Sequence, residues 1–297
     1  MLFRSPGTGF AVEFDTGNGY TNRSAILGEP DRETPGPFGG PVTPFAPPYL
    51  ASQLLSIGSH GSVTLEFDPP IRNHPWNPFG IDFLVFNGAG FVITNGDYSG
   101  GGITDGSLFA TSPSTTRVAV SADGMNFYTL DTNIAPAVEG LLPTDPRGSA
   151  TTPAHPALRP ADLAGLGLDA IRTRYGNSAG GVGFNLDWAR TSNGQKIQLD
   201  AARFVRIDVL DGRVELDALS AVAPEPPSTS RAIAGSWEEH FDSNPWTRGW
   251  RTLGEPTLFQ WDPSTQRLET TWDSAKPNAW FLMPLGRPLS DADDFSV

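Results

Sequence analysis

Over its first 222 residues the chain alternates apolar and polar positions in short runs broken by turn residues. "SVTLEFD" (62–68) sets Val63, Leu65 and Phe67 on one face and Thr64, Glu66 and Asp68 on the other, the period of a half-exposed strand. "FAVEFD" (10–15) alternates likewise, with Val12 and Phe14 on one face. "IDFLVFN" (81–87) is apolar on both faces and predicts a central strand. "TTRVAVSADGMNFYTLD" (115–131) reads as two strands around a tight turn at Asp123-Gly124, with the Phe127 and Tyr128 rings packed on the sandwich. "ARFVRIDVLDG" (202–212) points Val205, Ile207 and Val209 inward and Arg206 and Asp208 outward, and "RVELDALSAV" (213–222) closes the set.

Helical signal is thin. "RPADLAGLGLDAIRTRY" (159–175) is the best stretch, but Gly165 and Gly167 interrupt it at about 1 kcal/mol each relative to alanine, so one short helical turn is expected. The sum is an all-β domain over residues 10–222, read as a sandwich. "VAPEPPSTSRAIAGS" supplies a Pro-, Ser- and Ala-rich linker over 223–236. From 237 to 297 the texture changes. Six of the eight tryptophans lie there (Trp237, Trp246, Trp250, Trp261, Trp272 and Trp280), and strands recur in "TLFQWD", "RLETTW" and "AWFLMPL". About sixty residues are few for a complete domain of that kind, so a truncated second β-sandwich is expected. The chain opens almost inside a strand and stops at "DDFSV" in mid-pattern, which reads as a piece of a longer protein.

Composition agrees with many turns. The 33 glycines and 28 prolines make about a fifth of the chain, above the roughly 12% average and below the roughly 25–30% that marks disorder. A net charge of −13 disfavours nucleic acid as a partner. With no cysteine there is no disulfide, thiol chemistry or Cys-type zinc site. No apolar run approaches the roughly 20 residues of a membrane helix, and the first residues show no signal-peptide core.

"VAVSADGMNFYTL" followed by "AARFVRIDVLDGRVELDALSAV" resembles discoidin-like, or galactose-binding-like, jelly-roll modules, which carry a V-x-x-S-x-D-G-x-x-[FW] hairpin and a later AR[FY]VRI strand. The span also resembles a group of exported bacterial cell-surface proteins through "LGEP", "GSHGSVTLEFDPPI", "IDFLVFNGAGF", "DGMNFYTL" and "GGVGFNLDWA". In that group "DFxVFEN" is frequent. Here Asn87-Gly88 replaces its acidic residue, which removes any role that carboxylate has. "FDSNPWTRGWRT" and "FQWDPSTQRLETTWDS" resemble the opening strands of concanavalin-A-like (laminin-G-like) sandwiches. The resemblance implies an extracellular or cell-surface setting and a structural calcium with one acidic ligand on the last strand. Glu215 is the position carried over and Asp217 the alternative.

Glu215 and Asp217, two apart on one strand, are expected to share a face, with Asp208 of the preceding strand beside them. Asp82, Asp187 and Asp211 sit near strand ends, and calcium takes six to eight oxygen ligands. Solvated strand carboxylates are the plain alternative. An acid/base pair for glycoside hydrolysis needs two carboxyls about 5–10 Å apart across a cleft, and no cleft motif is present. "NGDYSGGGITDGS" (95–107), with Asp97 and Asp105, and "YGNSAGGVGFNLDWA" lack the strand-turn-helix context of a phosphate or dinucleotide loop. His60, His74, His155 and His240 show no metal spacing, and there is no G-x-S-x-G elbow. For stacking on a sugar ring, Trp76 in "RNHPWNPFG" is the leading candidate, followed by Tyr98 and Trp188; core packing is the competing role for each. The expected function is a non-catalytic surface or adhesion module that binds glycans or cell-envelope polymers. An accessory region of a polysaccharide-degrading enzyme and a purely structural spacer are the alternatives.

Overall fold

Ten strands form two antiparallel sheets: β1 (Leu2–Ser5), β2 (Leu55–Gly58), β3 (Ser62–Arg72), β4 (Phe83–Asn87), β5 (Thr115–Ser121), β6 (Tyr128–Leu130), β7 (Val182–Phe184), β8 (Ala189–Arg190), β9 (Ala201–Asp211) and β10 (Arg213–Ala221). The computed structural model describes residues 2–5, 7–9, 11–13, 17–139, 142–225, 240–253, 255–271 and 279–282. One sheet runs β1-β3-β9-β5-β6-β8 and the other β7-β4-β10-β2. The protein is all-β and sandwich-like, as the alternation predicts.

Register explains the burial. Leu65, Val205 and Val120 stand opposite one another across β3, β9 and β5, and Val63, Ile207 and Val118 form the next row. All six are buried. At about 1.5–3 kcal/mol for each such side chain, these rows outweigh anything on the opposite face. That face carries Arg206 between Thr64 and Ala119, and Asp208 between Ser62 and Arg117. The ladder to β3 shifts between Ala202 and Phe204, which is why Ala202 and Val205 are both buried although three apart.

Between β9 and β10 stands only Gly212. It takes φ +75°, and a Cβ there would land on the Pro113 carbonyl oxygen. This one residue carries the chain from the six-stranded sheet, where β9 lies between β3 and β5, to the other sheet, where β10 lies between β4 and β2. Both β4 and the central part of β10 are buried on both faces, and Phe83 of β4 stacks on Phe184 of β7 at 5.2 Å. Residues 131–139 and 142–181 lie alongside: Asn87 Nδ2 donates to the Val138 carbonyl (3.4 Å) and Gly181 N to the Leu142 carbonyl (2.9 Å). A second apolar cluster of Phe91, Leu142, Leu163, Ile171 and Tyr175 belongs to this region.

Three local expectations are corrected. A two-turn helix, α1 (Leu168–Tyr175), forms after a 3₁₀ turn at Pro160–Leu163, because Gly165 and Gly167 precede the helix instead of interrupting it. Val12 is exposed and Glu13 buried, the reverse of the predicted phase. Glu13 accepts hydrogen bonds from Ala51 N and Asn18 Nδ2, and the segment makes only an isolated bridge between Val12 and Gly19. Phe14 lies outside the described residues. The turn after β5 spans six residues, with the Asp123 carboxylate accepting from Met125 N, Asn126 N and Asn126 Nδ2 at 2.7–2.8 Å. Phe127 and Tyr128 are half-buried, and Phe127 lies under the Arg206 guanidinium at 4.6 Å.

The chain divides into two compact units, one of Met1–His74 with Ile81–Ala223 and one of Pro75–Gly80 with Pro224–Val297. Residues 226–239, which hold most of the predicted linker and Trp237, and Trp272 lie outside the described residues. In the second unit Phe259–Asp262 pairs with Arg267–Thr270, and Arg251–Leu253 with Trp280–Leu282. Phe281 gathers Trp250 (4.9 Å, stacked), Phe259 (5.3 Å) and Trp246 (5.3 Å, edge-on).

The corner gives a direct test. Gly212→Ala is expected to cost about 3 kcal/mol or more, since it adds a backbone clash to the left-handed conformation. Gly194→Ala, at φ +82° with open space around it, should cost only about 1 kcal/mol. Equal losses in denaturant melts of the two variants would refute the steric account of the corner.

Candidate functional site

The first unit contains a cavity of about 570 Å³. One wall is the 34–49 loop, where Phe38, Phe45 and Tyr49 alternate with Pro41, Pro47 and Pro48. Six prolines between 35 and 48 fix much of that backbone. Tyr20 and Phe109 supply further rings, and Arg213 and Glu215 of β10 are the charged side chains in the lining. Phe109 ends the Thr104–Phe109 strand opposite Gly90, where a Cβ would strike the Phe109 ring. Tyr20 is anchored by its hydroxyl, which donates to the Tyr49 carbonyl at 2.6 Å. Phe38 is 73% exposed, so a large apolar ring stands open to a ligand.

β10 places the charges. Glu215 stands opposite Ser56 of β2, and Ser56 Oγ donates to Glu215 Oε1 at 3.3 Å. Arg213 Nε reaches the same oxygen at 3.1 Å. Behind them Glu139 accepts from Glu215 N (3.0 Å) and Ser112 N (3.3 Å). Burial, and then the hydrogen bond and charge of the Glu215 carboxyl, push the Glu139 carboxyl up to about 9. Glu139 therefore keeps its proton at neutral pH, and the charge partner of Glu215 in the wall is Arg213.

Asp217 is separate from this pair. The β10 ladder to β4 shifts between Leu216 and Ala218, so Asp217 is the residue at the bulge. It is 1% exposed; its Oδ1 accepts from Asp31 N at 3.2 Å and its Oδ2 has no partner. Burial first, with the nearby Asp31 charge, raises its carboxyl to about 8, and burial raises Asp31 too. Asp208 lies on the outer face of the other sheet, held by Arg117 (3.1 Å) and Arg206 (3.2 Å), because the Gly212 corner separates β9 from β10. The three carboxylates singled out in sequence thus occupy three environments. Among the described residues no three acidic or histidine side chains come together.

The aromatic candidates lie elsewhere. Tyr98 is 79% exposed in the loop before the Thr104–Phe109 strand; the Asp97 carboxylate of that loop accepts from Ser99, and Asp105 within the strand accepts from Ser107. Trp188 is 6% exposed in the Leu186–Trp188 turn, which leaves little ring surface for stacking. Trp76 is about half exposed and belongs to the second unit, where its carbonyl accepts from Glu225 N at 3.1 Å. Of the six residues singled out in sequence, the cavity wall contains only Glu215. Phe38, Phe45, Tyr49, Phe109, Arg213 and Glu139 were missed. The available signal was the ring-and-proline spacing of "PFGGPVTPFAPPY", which has no strand or helix period.

The raised carboxyls set a pH dependence. A group whose folded pKa exceeds its unfolded value of about 4 gives stability that is complete below pH 4 and is lost as pH rises through the folded value. For Asp217 that window is pH 4 to about 8. In calcium-free buffer at pH 8, Asp217→Asn should therefore melt roughly 5 °C above the parent, and its melting temperature should fall less between pH 5 and 8. A lower melting temperature for the variant at pH 8 would contradict the burial argument.

No protein-family model matches this chain, and no curated protein matches it either.

Proposed function

We propose that this chain is a non-catalytic binding or adhesion module of an exported or cell-surface bacterial protein, and that it seats a saccharide in the ring-lined cavity. The first unit is read as a galactose-binding-like jelly roll and the second as part of a concanavalin-A-like sandwich, on the strength of the quoted motifs. The observation that carries the reading is the open Phe38 ring beside Tyr20, Tyr49 and Phe109, with Arg213 and Glu215 in the same wall. Apolar C–H faces of sugars stack on such rings, and the polar groups orient the hydroxyls. Glu139 Oε1 accepts from Glu215 N at 3.0 Å, and the two carboxyls interact directly. Two groups that close do not flank a glycosidic bond, which favours binding over hydrolysis.

Titration calorimetry against oligosaccharides, with hits taken from a glycan array, tests this. Phe38→Ala and Phe109→Ala should each weaken binding about tenfold, equivalent to about 1.4 kcal/mol, while melting like the parent. Unchanged affinity in both variants would remove the cavity from the reading, and an array without a single hit would remove the function.

A structural calcium is also proposed. Glu215 and Asp208 fit it poorly, since each is already neutralised by arginine. Asp217 fits better, having an orphan buried oxygen and the Asp31 carboxyl nearby, with carbonyls and water to complete the shell. Calcium should then raise the melting temperature, EDTA should lower it, and Asp217→Asn should abolish the difference. A melt indifferent to EDTA and calcium would exclude the ion.

A further inference from the structure

We infer that the cavity selects saccharides bearing a carboxylate, the uronic-acid class, and that Arg213 is the residue that reads this charge. The inference rests on the cavity being a saccharide seat. Arg213 and Glu215 are the charged side chains in its lining, and they are presented unequally. The Glu215 side chain is 7% exposed, accepts from Ser56 Oγ and is ion-paired with Arg213 Nε at 3.1 Å, so its charge is turned into the wall. The Arg213 side chain is 44% exposed. A guanidinium is a planar fork of five N–H donors. Its Nε is committed to Glu215, and among the described residues it makes no other ion pair or hydrogen bond. The Nη1–Nη2 edge is therefore left for a ligand, and its two parallel N–H donors can take a carboxylate in bidentate fashion.

The surroundings strengthen the choice. Apart from Thr34 and Thr111 the rest of the lining is aromatic, proline, glycine, alanine or aliphatic, and a charge-assisted hydrogen bond gains strength where water is displaced by such apolar groups. A second carboxylate behind the wall would repel an anion, but Glu139 is kept protonated by burial and by Glu215. The chain carries −13 overall, so an anionic sugar is disfavoured at long range and needs a local cation to be held. A neutral sugar would fill the same rings but leave the guanidinium edge without a charged partner, and specificity follows from that unmatched group.

The experiment compares matched neutral and uronate trisaccharides of gluco, galacto and manno configuration by calorimetry at pH 7, at low salt and in 150 mM NaCl. For the configuration that binds, the uronate should bind at least tenfold tighter than its neutral partner, and salt should weaken the uronate alone. In Arg213→Gln the ratio should fall to within about threefold. In Arg213→Lys, which keeps the charge and loses the fork, it should take an intermediate value, with thermal melts confirming that both variants are folded. A neutral sugar bound as tightly as the uronate, or a preference that survives in Arg213→Gln, overturns the charge selection and leaves the saccharide seat standing. Binding of neither series overturns both.

Discussion

The structure turns on a steric constraint at a single residue. Gly212 must hold a left-handed conformation with a carbonyl oxygen where its side chain would be, and no other residue type fits. Because the corner is that short, β9 and β10 cannot fold back on one another as a hairpin. Each enters the interior of a different sheet. The inward row of Val205, Ile207 and Val209 and the buried run from Val214 to Leu219 then belong to opposite layers of one core. Ser59 Oγ, which donates to the Gly212 carbonyl at 3.0 Å, ties the neighbouring turn to the same corner.

That corner also decides the chemistry. Asp208 and Glu215 are seven residues apart in sequence, and a simple hairpin would set them on adjacent strands. The layer change sends Asp208 to a solvated face with two arginines and Glu215 to a cavity wall. Asp217 is diverted again by the bulge next to it. A strand buried on both faces is a costly place for acids, and each finds a different remedy: Glu215 an ion pair with Arg213 and a hydrogen bond from Ser56, Asp217 a raised affinity for its own proton.

Period-two alternation made the strands legible. The phases of β3, β5 and β9 were all readable, and the apolar run of β4 was correctly read as an interior strand. What alternation cannot express is where the chain changes layer, because one glycine followed by more alternation looks like a hairpin. Nor can it find a bulge: Arg203 and Asp217 occupy ordinary positions in the written pattern. The phase error at Val12 and Glu13 has a related cause. A buried glutamate with backbone donors around it is stable, but it violates the rule by which strand faces are assigned. The cavity was least visible, since its wall is a loop whose residues are brought together by long-range packing, from Tyr20 to Arg213.

The same loop has a consequence for affinity. A binding surface carried on irregular backbone usually loses free energy on ordering when a ligand arrives. Here prolines at 35, 37, 41, 44, 47 and 48 restrict φ before any ligand is present, and the ladder between Glu33–Thr34 and Gly40–Pro41 pins the turn between them. Gln53 holds the far end, its Oε1 accepting from Tyr49 N and Leu50 N and its Nε2 donating to the Glu33 carbonyl (3.2 Å). Rings mounted on such a wall keep their spacing without help from regular secondary structure. The wall is therefore preorganised, and in the proposed saccharide seat its unused hydrogen-bonding capacity includes the outer edge of the Arg213 guanidinium and the Thr34 hydroxyl, whose Oγ1 is buried with no partner among the described residues.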